Sequence, residues 1–335
     1  ATSRVSMMVR NINISYRNAY SMTLPGFIPT TGDVFGQRSA DVLQPGLDFA
    51  FGFTDDSYIR RAAERGWLVS NDSVVTPATP NLTENLQISA TIEPLPDLKI
   101  DLSATRTTNR SRSIQYMFEG MPTQESGSFN MTVISIGSAF ESMGDANNGY
   151  KSATFEKFVN SLEQFRTRVE AQYANATYPQ GTSLAGKPFD PANGTVSPYA
   201  PEVMIPAFLS AYAGGGSSLD IFPTLKRLLP NWSIKYSGLA KLPKMRKIFK
   251  SFNINHSYKS VYAVGAYNTY STFMSYIGSI GFIQDVTTGD PTPSSMYDVS
   301  TVSINEQFSP LAGVDMTFNN NLTRSAEYRK ARVLS

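Results

Sequence analysis

The chain has 335 residues, a formal net charge of +2, no cysteine and one histidine, His256. Disulfides, cysteine nucleophiles and thiolate metal sites are thereby excluded, imidazole-based zinc sites lack ligands, and no electrostatic case exists for nucleic acid or an anionic surface. Mean hydropathy is −0.22 and no run of 18 apolar residues occurs, which excludes a membrane-crossing helix but says nothing against membrane strands, half of whose residues face water.

In chain order, the opening Ala1-Thr2-Ser3-Arg4 carries no signal peptide, as expected of a mature product or an internal piece of a longer protein. The first alternating segment follows Met8, with Ile12, Ile14 and Tyr16 opposed to Asn11, Asn13, Ser15 and Arg17. Asp55-Asp56 precedes a helix predicted to start near Ser57. Helix capping explains these carboxylates better than acid/base or calcium chemistry, for which the later Asp290 was the other candidate.

The clearest pattern runs from Leu86 to Thr105. Leu86, Ile88, Ala90 and Ile92 alternate with Asn85, Gln87, Ser89 and Thr91. After the turn Glu93-Pro94-Leu95-Pro96-Asp97, Leu98, Ile100, Leu102 and Ala104 alternate with Lys99, Asp101, Ser103 and Thr105. A period of two marks strands with one apolar and one wet face. The fold class expected is all-β, a transmembrane antiparallel barrel segment with helical insertions in long loops. In that reading Asn85, Gln87, Ser89, Thr91, Lys99, Asp101, Ser103 and Thr105 face an aqueous lumen, and Leu86, Ile88, Ile92, Leu98, Ile100 and Leu102 face lipid. Segment 127–140 is rougher: Phe129, Met131 and Val133 start on one face and Ile134 and Ile136 continue on the other, which predicts a bulge or two-sided burial.

Residues 141–229 read as a long, mostly helical insertion between barrel strands and loops at 1–140 and 230–335. Phe155, Phe158, Val159, Leu162, Phe165, Val169 and Tyr173 recur at helical spacing, which predicts a loop helix over its own satellite core. A second helix is expected over 202–213, stopped by Gly214-Gly215-Gly216, and a third short one over 219–229. Short connections at Pro94–Asp97 and Leu239–Lys250 contrast with this insertion and with a Gly/Pro/Ser/Thr-rich loop at 268–298, as in outer-membrane barrels. A simple up-and-down strand count nevertheless puts the insertion at the short-turn end unless another strand lies within 106–118.

Trp232, Ile234 and Tyr236 alternate with Asn231, Ser233, Lys235 and Ser237. Phe252, Ile254, His256 and Tyr258 share one face, which predicts a packed or interfacial histidine. The cluster Lys241, Lys244, Arg246, Lys247 and Lys250 reads equally as a solvated turn or a contact for anionic groups. Val314, Met316 and Phe318 oppose Asp315, Thr317 and Asn319 ahead of a turn at Asn319–Asn321 and a strand over Leu322–Arg332. No phosphate loop, metal set or catalytic cluster emerges; no cofactor and no enzymatic activity are expected.

Three runs are more specific: Leu24-Pro25-Gly26-Phe27, Pro45-Gly46-Leu47-Asp48-Phe49-Ala50-Phe51-Gly52-Phe53 and Arg61-Ala62-Ala63-Glu64-Arg65-Gly66-Trp67. With Ile92–Leu98, Tyr116–Pro122, Ser126–Thr132 and Leu229–Trp232 they resemble, in order and over essentially the whole chain, the C-terminal portion of the SprA/Sov family. These are the giant outer-membrane translocon proteins of the Bacteroidetes type IX secretion system, associated with gliding motility. The resemblance implies a single-chain barrel of very high strand number, about 36 at the known extreme. It implies passive conduction of folded cargo proteins bearing a C-terminal sorting domain, a PorV-like barrel and a plug protein as partners, and the outer membrane of a Gram-negative bacterium of the Bacteroidetes type. An outer-membrane porin or nutrient-uptake barrel shares every periodic feature and is the alternative. A soluble all-β surface protein and an outer-membrane enzyme are further classes, the latter disfavoured by the single histidine.

Overall fold

Alternation at this length needs partners on both sides, and the chain supplies them in one broad antiparallel sheet. The protein is described by a computed structural model for residues 8–335 except 31, 33–34, 41, 53, 70–75, 117–122, 143, 150–151, 215 and 217. The strands are β1 (Val9–Thr23), a small hairpin β2 (Arg38–Ala40) and β3 (Val42–Gln44), β4 (Thr79–Leu95), β5 (Leu98–Ser113), β6 (Gln124–Thr132), β7 (Asn231–Tyr236) and β8 (Phe249–Thr269). They continue with β9 (Met274–Ile277), β10 (Ile280–Gln284), β11 (Pro291–Ser295), β12 (Tyr297–Val299), β13 (Val302–Phe318) and β14 (Thr323–Leu334). The main sheet runs β1-β4-β5-β6-β8-β13-β14, and among the described residues β1 and β14 are its edges. No described helix is long and apolar enough to cross a membrane.

The β4–β5 and β13–β14 turns of the main sheet lie at one end. Pro96-Asp97 joins β4 to β5 with Asp97 at φ +68°, a left-handed conformation Asp tolerates, and Asn321 at φ +64° closes the β13–β14 turn. The Asp97 carboxylate accepts from Lys241 Nζ at 2.7 Å, which ties the basic 241–250 segment to this end. Asn319 Nδ2 donates to the Lys247 carbonyl at 2.8 Å and does the same work from the other turn.

At the opposite end lie the described residues between β1 and β4, with helices α1 (Leu47–Ala50) and α2 (Asp56–Glu64). The three specific runs of the sequence meet here. Ile28 N donates to Trp67 O and Val69 N to Gly26 O, both at 2.8 Å. Tyr58 Oη donates to Pro45 O at 2.7 Å, and Tyr58, Ala62, Trp67 and Leu68 make a small core. Phe53 and residues 117–122 of the resembling runs lie outside the described residues.

The lane between β5 and β8 is unusual. β6 fills its upper part, pairing with β5 through residues 106–113, and β7 fills its lower part, pairing through 98–103. The chain leaves the sheet after Thr132, builds residues 133–230, and re-enters the same lane at Asn231. The insertion therefore springs from mid-strand and from neither rim. Residues 106–113 continue β5 and no separate strand is described within 106–118; the exit half-way along β6, and not an added strand, keeps the insertion off the short-turn end. The roughness at 127–140 has two causes: the β6–β8 register shifts between Gly127 and Phe129, and the chain exits after Thr132.

Side chains close the hole at the exit. Thr132 Oγ1 accepts from Thr105 N at 3.1 Å in place of a ladder carbonyl, and the buried Asn231 Oδ1 accepts from Ser260 N at 2.8 Å. Asn231→Ala leaves the Ser260 N–H buried without an acceptor and is expected to cost about 1–3 kcal/mol, read as a lower denaturation midpoint.

The insertion holds α3 (Ala153–Ala171) and α4 (Pro201–Ala213). Ser152 caps α3 through its hydroxyl, and Leu162, Phe165 and Val169 turn inward with Tyr173 into a core shared with Val203, Ala207 and Phe282. The satellite core is thus built as the helical spacing predicts, although Phe155 and Val159 remain exposed. Gly214 ends α4 at φ +66°, the left-handed cap expected of the glycine run. The expected third helix over 219–229 is reduced to a 3-10 turn at Leu225–Arg227, since Pro223 and Pro230 bracket too few residues. The expected loop at 268–298 instead folds into the meander β9–β11, whose strands are too short and too rich in Gly, Pro and Ser to show a period.

Candidate membrane and aqueous faces

Register sorts the predicted residues cleanly. Gln87 pairs with Thr105, Ser89 with Ser103 and Thr91 with Asp101, so the eight polar candidates, Asn85 and Lys99 included, stand on one face. Asn11, Asn13, Ser15 and Arg17 extend that face across β1, and Ser233 and Lys235 extend it across β7. Asn253, Asn255, Asp315 and Ser325 carry it to β14. Neighbours bond one another along it: Thr91 Oγ1 donates to Asp101 at 2.6 Å, Asn85 Nδ2 to Thr107 at 3.0 Å, Ser325 Oγ to Asp315 at 2.7 Å, and Lys99 pairs with Asp101 at 3.0 Å.

The opposite face is apolar over its lower half. Ile88 pairs with Ala104, Ala90 with Leu102 and Ile92 with Ile100, with Leu86 and Leu98 in phase. Ile234 lies opposite Ile100, and Ile12 and Ile14 of β1 are 61% and 65% exposed. Exposure of adjacent isoleucines on a long strand is costly in water. Aromatic rows bound this strip. Phe249 meets Phe252 at 5.2 Å and Phe318 at 4.8 Å near the turns. Trp232 stacks on Tyr258 at 4.4 Å, followed by Phe308 at 5.0 Å, along the upper border. Phe252 and Tyr258 are six residues apart on β8, about 20 Å of strand. His256 lies between them with Nδ1 2.7 Å from the Leu311 carbonyl, which the β13 bulge at 309–312 turns inward. It is the packed histidine its neighbours predict.

Above the strip the same face is covered. Phe129, Met131, Tyr262, Val264 and Ile304 of the sheet pack under Ile205, Leu209 and Ile221 of the insertion, and Tyr262 Oη donates to Ile221 O at 2.9 Å. At the boundary sits a buried ionic group that sequence reasoning missed. Glu306, 2% exposed, accepts from Ser135 Oγ at 2.6 Å and Tyr258 Oη at 2.8 Å and pairs with Arg332. Arg332 in turn donates to the Ser138 carbonyl at 2.7 Å. The available signal was phase: Glu306 stands between Ile304 and Phe308 on the apolar beat.

The remaining chemical candidates have structural employment. Asp55 caps α2, accepting from Ser57 N at 3.1 Å, and the Ser57 hydroxyl beside it holds its carboxyl below the ordinary carboxylate range. Asp290 accepts from Ser183 Oγ at 2.6 Å, which likewise lowers it. No group of three or more potential metal-ligating side chains occurs among the described residues.

Glu202, in the first turn of α4, is 4% exposed; Ser295 N donates to its Oε1 at 3.1 Å and Oε2 has no partner. Desolvation pushes its carboxyl above the ordinary value, against the smaller opposing effect of backbone donors. The folded state therefore holds this proton more tightly than the unfolded chain. The resulting stabilisation is complete below about pH 4.3 and is lost as pH rises through the folded value. Glu202→Gln is expected to flatten that decline, measured as urea midpoints for both proteins across pH 4–8.

No protein-family model matches the chain, and no curated protein matches it either.

Proposed function

We propose that this chain is a segment of an outer-membrane protein-conducting channel. In this reading it forms part of a transmembrane antiparallel barrel wall that passes folded cargo proteins with a C-terminal sorting domain through an aqueous lumen. The carrying observation is the two-faced lower sheet: a bare apolar strip between aromatic rows on one side, and on the other a continuous polar field, mostly Asn, Ser, Thr and Gln with a few charged residues such as Lys99 and Asp101 among them. Lipid-facing bands of outer-membrane barrels are about 25 Å tall and flanked by aromatic girdles, which supports assigning Leu86, Ile88, Ile92, Leu98, Ile100 and Leu102 to lipid. A wide lumen needs small hydrogen-bonding side chains that bind water and offer a passing protein no apolar foothold. The short turns at one end of the main sheet and the long β1–β4 connection at the other fit the same topology, with the long-connection end outside the cell. A PorV-like barrel, a plug protein and the secreted cargo are the partners this reading carries with it.

The 335 residues contain no cysteine, so single thiols can be placed in them cleanly. A thiol-linked photocrosslinker on Ser103→Cys of the full chain in cells is expected to capture arrested cargo, whereas the same probe on Ile100→Cys captures none. Equal capture at both positions, or passage of small solutes with no cargo adduct at either, rejects the translocon; the latter outcome favours a porin or uptake barrel.

A further inference from the structure

The upper border of the bare strip carries a feature the conduction reading does not use. On the apolar phase of β5, Arg106 stands opposite Leu86, with Thr108 and Arg110 next in phase. The Arg106 guanidinium lies over the Phe129 ring, 5.0 Å from its centroid, and its Nε is buried with no hydrogen-bond partner. Thr108 Oγ1 is buried and unpartnered as well. Arg112, one step higher, is neutralised by Glu125 at 2.9 Å and by Asp56. By contrast, neither Arg106 nor Arg110 has a carboxylate in ion-pair range among the described residues. Glu84, across from Thr108, is engaged by the Tyr16 hydroxyl at 3.0 Å. Arg110 also lines a cavity of about 410 Å³ with Asn18, Tyr20, Asp55 and Ser57, between α2 and the sheet.

Arg106 and Arg110, with no carboxylate in ion-pair range, and between them the buried, unpartnered Thr108 hydroxyl share one phase of β5 where an apolar strip ends, and they lack an anionic oxygen ligand. We propose that Arg106, Thr108 and Arg110 bind the phosphate of a phosphorylated glycolipid. Its acyl chains lie along Ile14, Tyr16, Leu86 and Ile88, and its sugar hydroxyls enter the cavity beside Asp55 and Asn18. The lipid chains give the site its occupant: a free oxyanion gains nothing from the strip. This inference rests on the membrane reading above.

The test uses the full chain purified in detergent, with lipid A and inorganic phosphate as probes and binding read by native mass spectrometry. Wild type is expected to bind lipid A, and Arg106→Gln/Arg110→Gln to bind at least about tenfold more weakly. Arg106→Lys is expected to retain part of the affinity. Arg17→Gln, on the polar face, should match wild type. Unchanged heat-modifiable gel mobility certifies that the variants fold. Equal lipid A affinity in wild type and double variant overturns the site. Competition by inorganic phosphate at the lipid's own concentration overturns the lipid assignment. Failure of the membrane reading itself shows separately, as a protein that stays monodisperse without detergent.

Discussion

Ile100→Arg is expected to destabilise the sheet by about 2–4 kcal/mol in a bilayer, while Gln87→Arg changes stability by less than about 0.5 kcal/mol. Ile100 is flanked in register by Ile92 on β4 and Ile234 on β7, between the two aromatic rows, so its side chain has no polar neighbour on either strand. A guanidinium there must leave the apolar strip to reach water, which costs it side-chain freedom and the strip its packing. Gln87 is exposed on the hydrogen-bonding face opposite Thr105, where an arginine finds solvent and polar partners at once. The two substitutions add the same charge to adjacent strands, so the difference between them isolates the medium each face meets. Heat-modifiable gel mobility and denaturant midpoints in lipid measure it, and equal effects reject the assignment of faces.

Arg332→Leu is expected to cost about 3–5 kcal/mol, because Glu306 is then left buried without its cation. The neighbouring donors Ser135 and Tyr258 still hydrogen-bond the carboxylate, but two hydroxyls do not offset a desolvated charge. The carbonyls of Ser135 and Ser138 lose their guanidinium donors in the same step. The double variant Glu306→Leu/Arg332→Leu is expected to recover most of the loss, since an apolar pair suits a site bordered by Ile304 and Phe308. Fluorescence of Trp232, stacked on Tyr258 beside the network, reports the unfolding. A single variant as stable as wild type contradicts the buried-pair account.

Much of the sheet was legible because its longest strands are strictly periodic. Leu86–Ile92 and Leu98–Ala104 show both their faces and their hairpin in the chain alone, and α3 shows its inward stripe through Leu162, Phe165 and Val169. What stayed hidden is non-local. β6 and β7 are short, and nothing in either reveals that they occupy one lane. The same holds for β9–β11, which Tyr173 ties to the insertion by donating to the Gly281 carbonyl at 2.8 Å across a large sequence distance. Charged residues on the apolar beat, Arg106, Glu306 and Arg332 among them, were readable as anomalies of phase. Their partners were not, because Ser135 and Phe129 reach them only through the fold.

The divided lane also sets an order of events during biogenesis. β5 and β8 cannot zip together until both halves of their shared partner arrive, and these are separated by about 100 residues, whose closure costs about 4 kcal/mol in chain entropy. The excursion must bring Thr132 and Asn231 together before that lane can fill, or the neighbouring strands pair without them and leave about a hundred residues outside the sheet. Slow closure of this seam is the expected kinetic consequence.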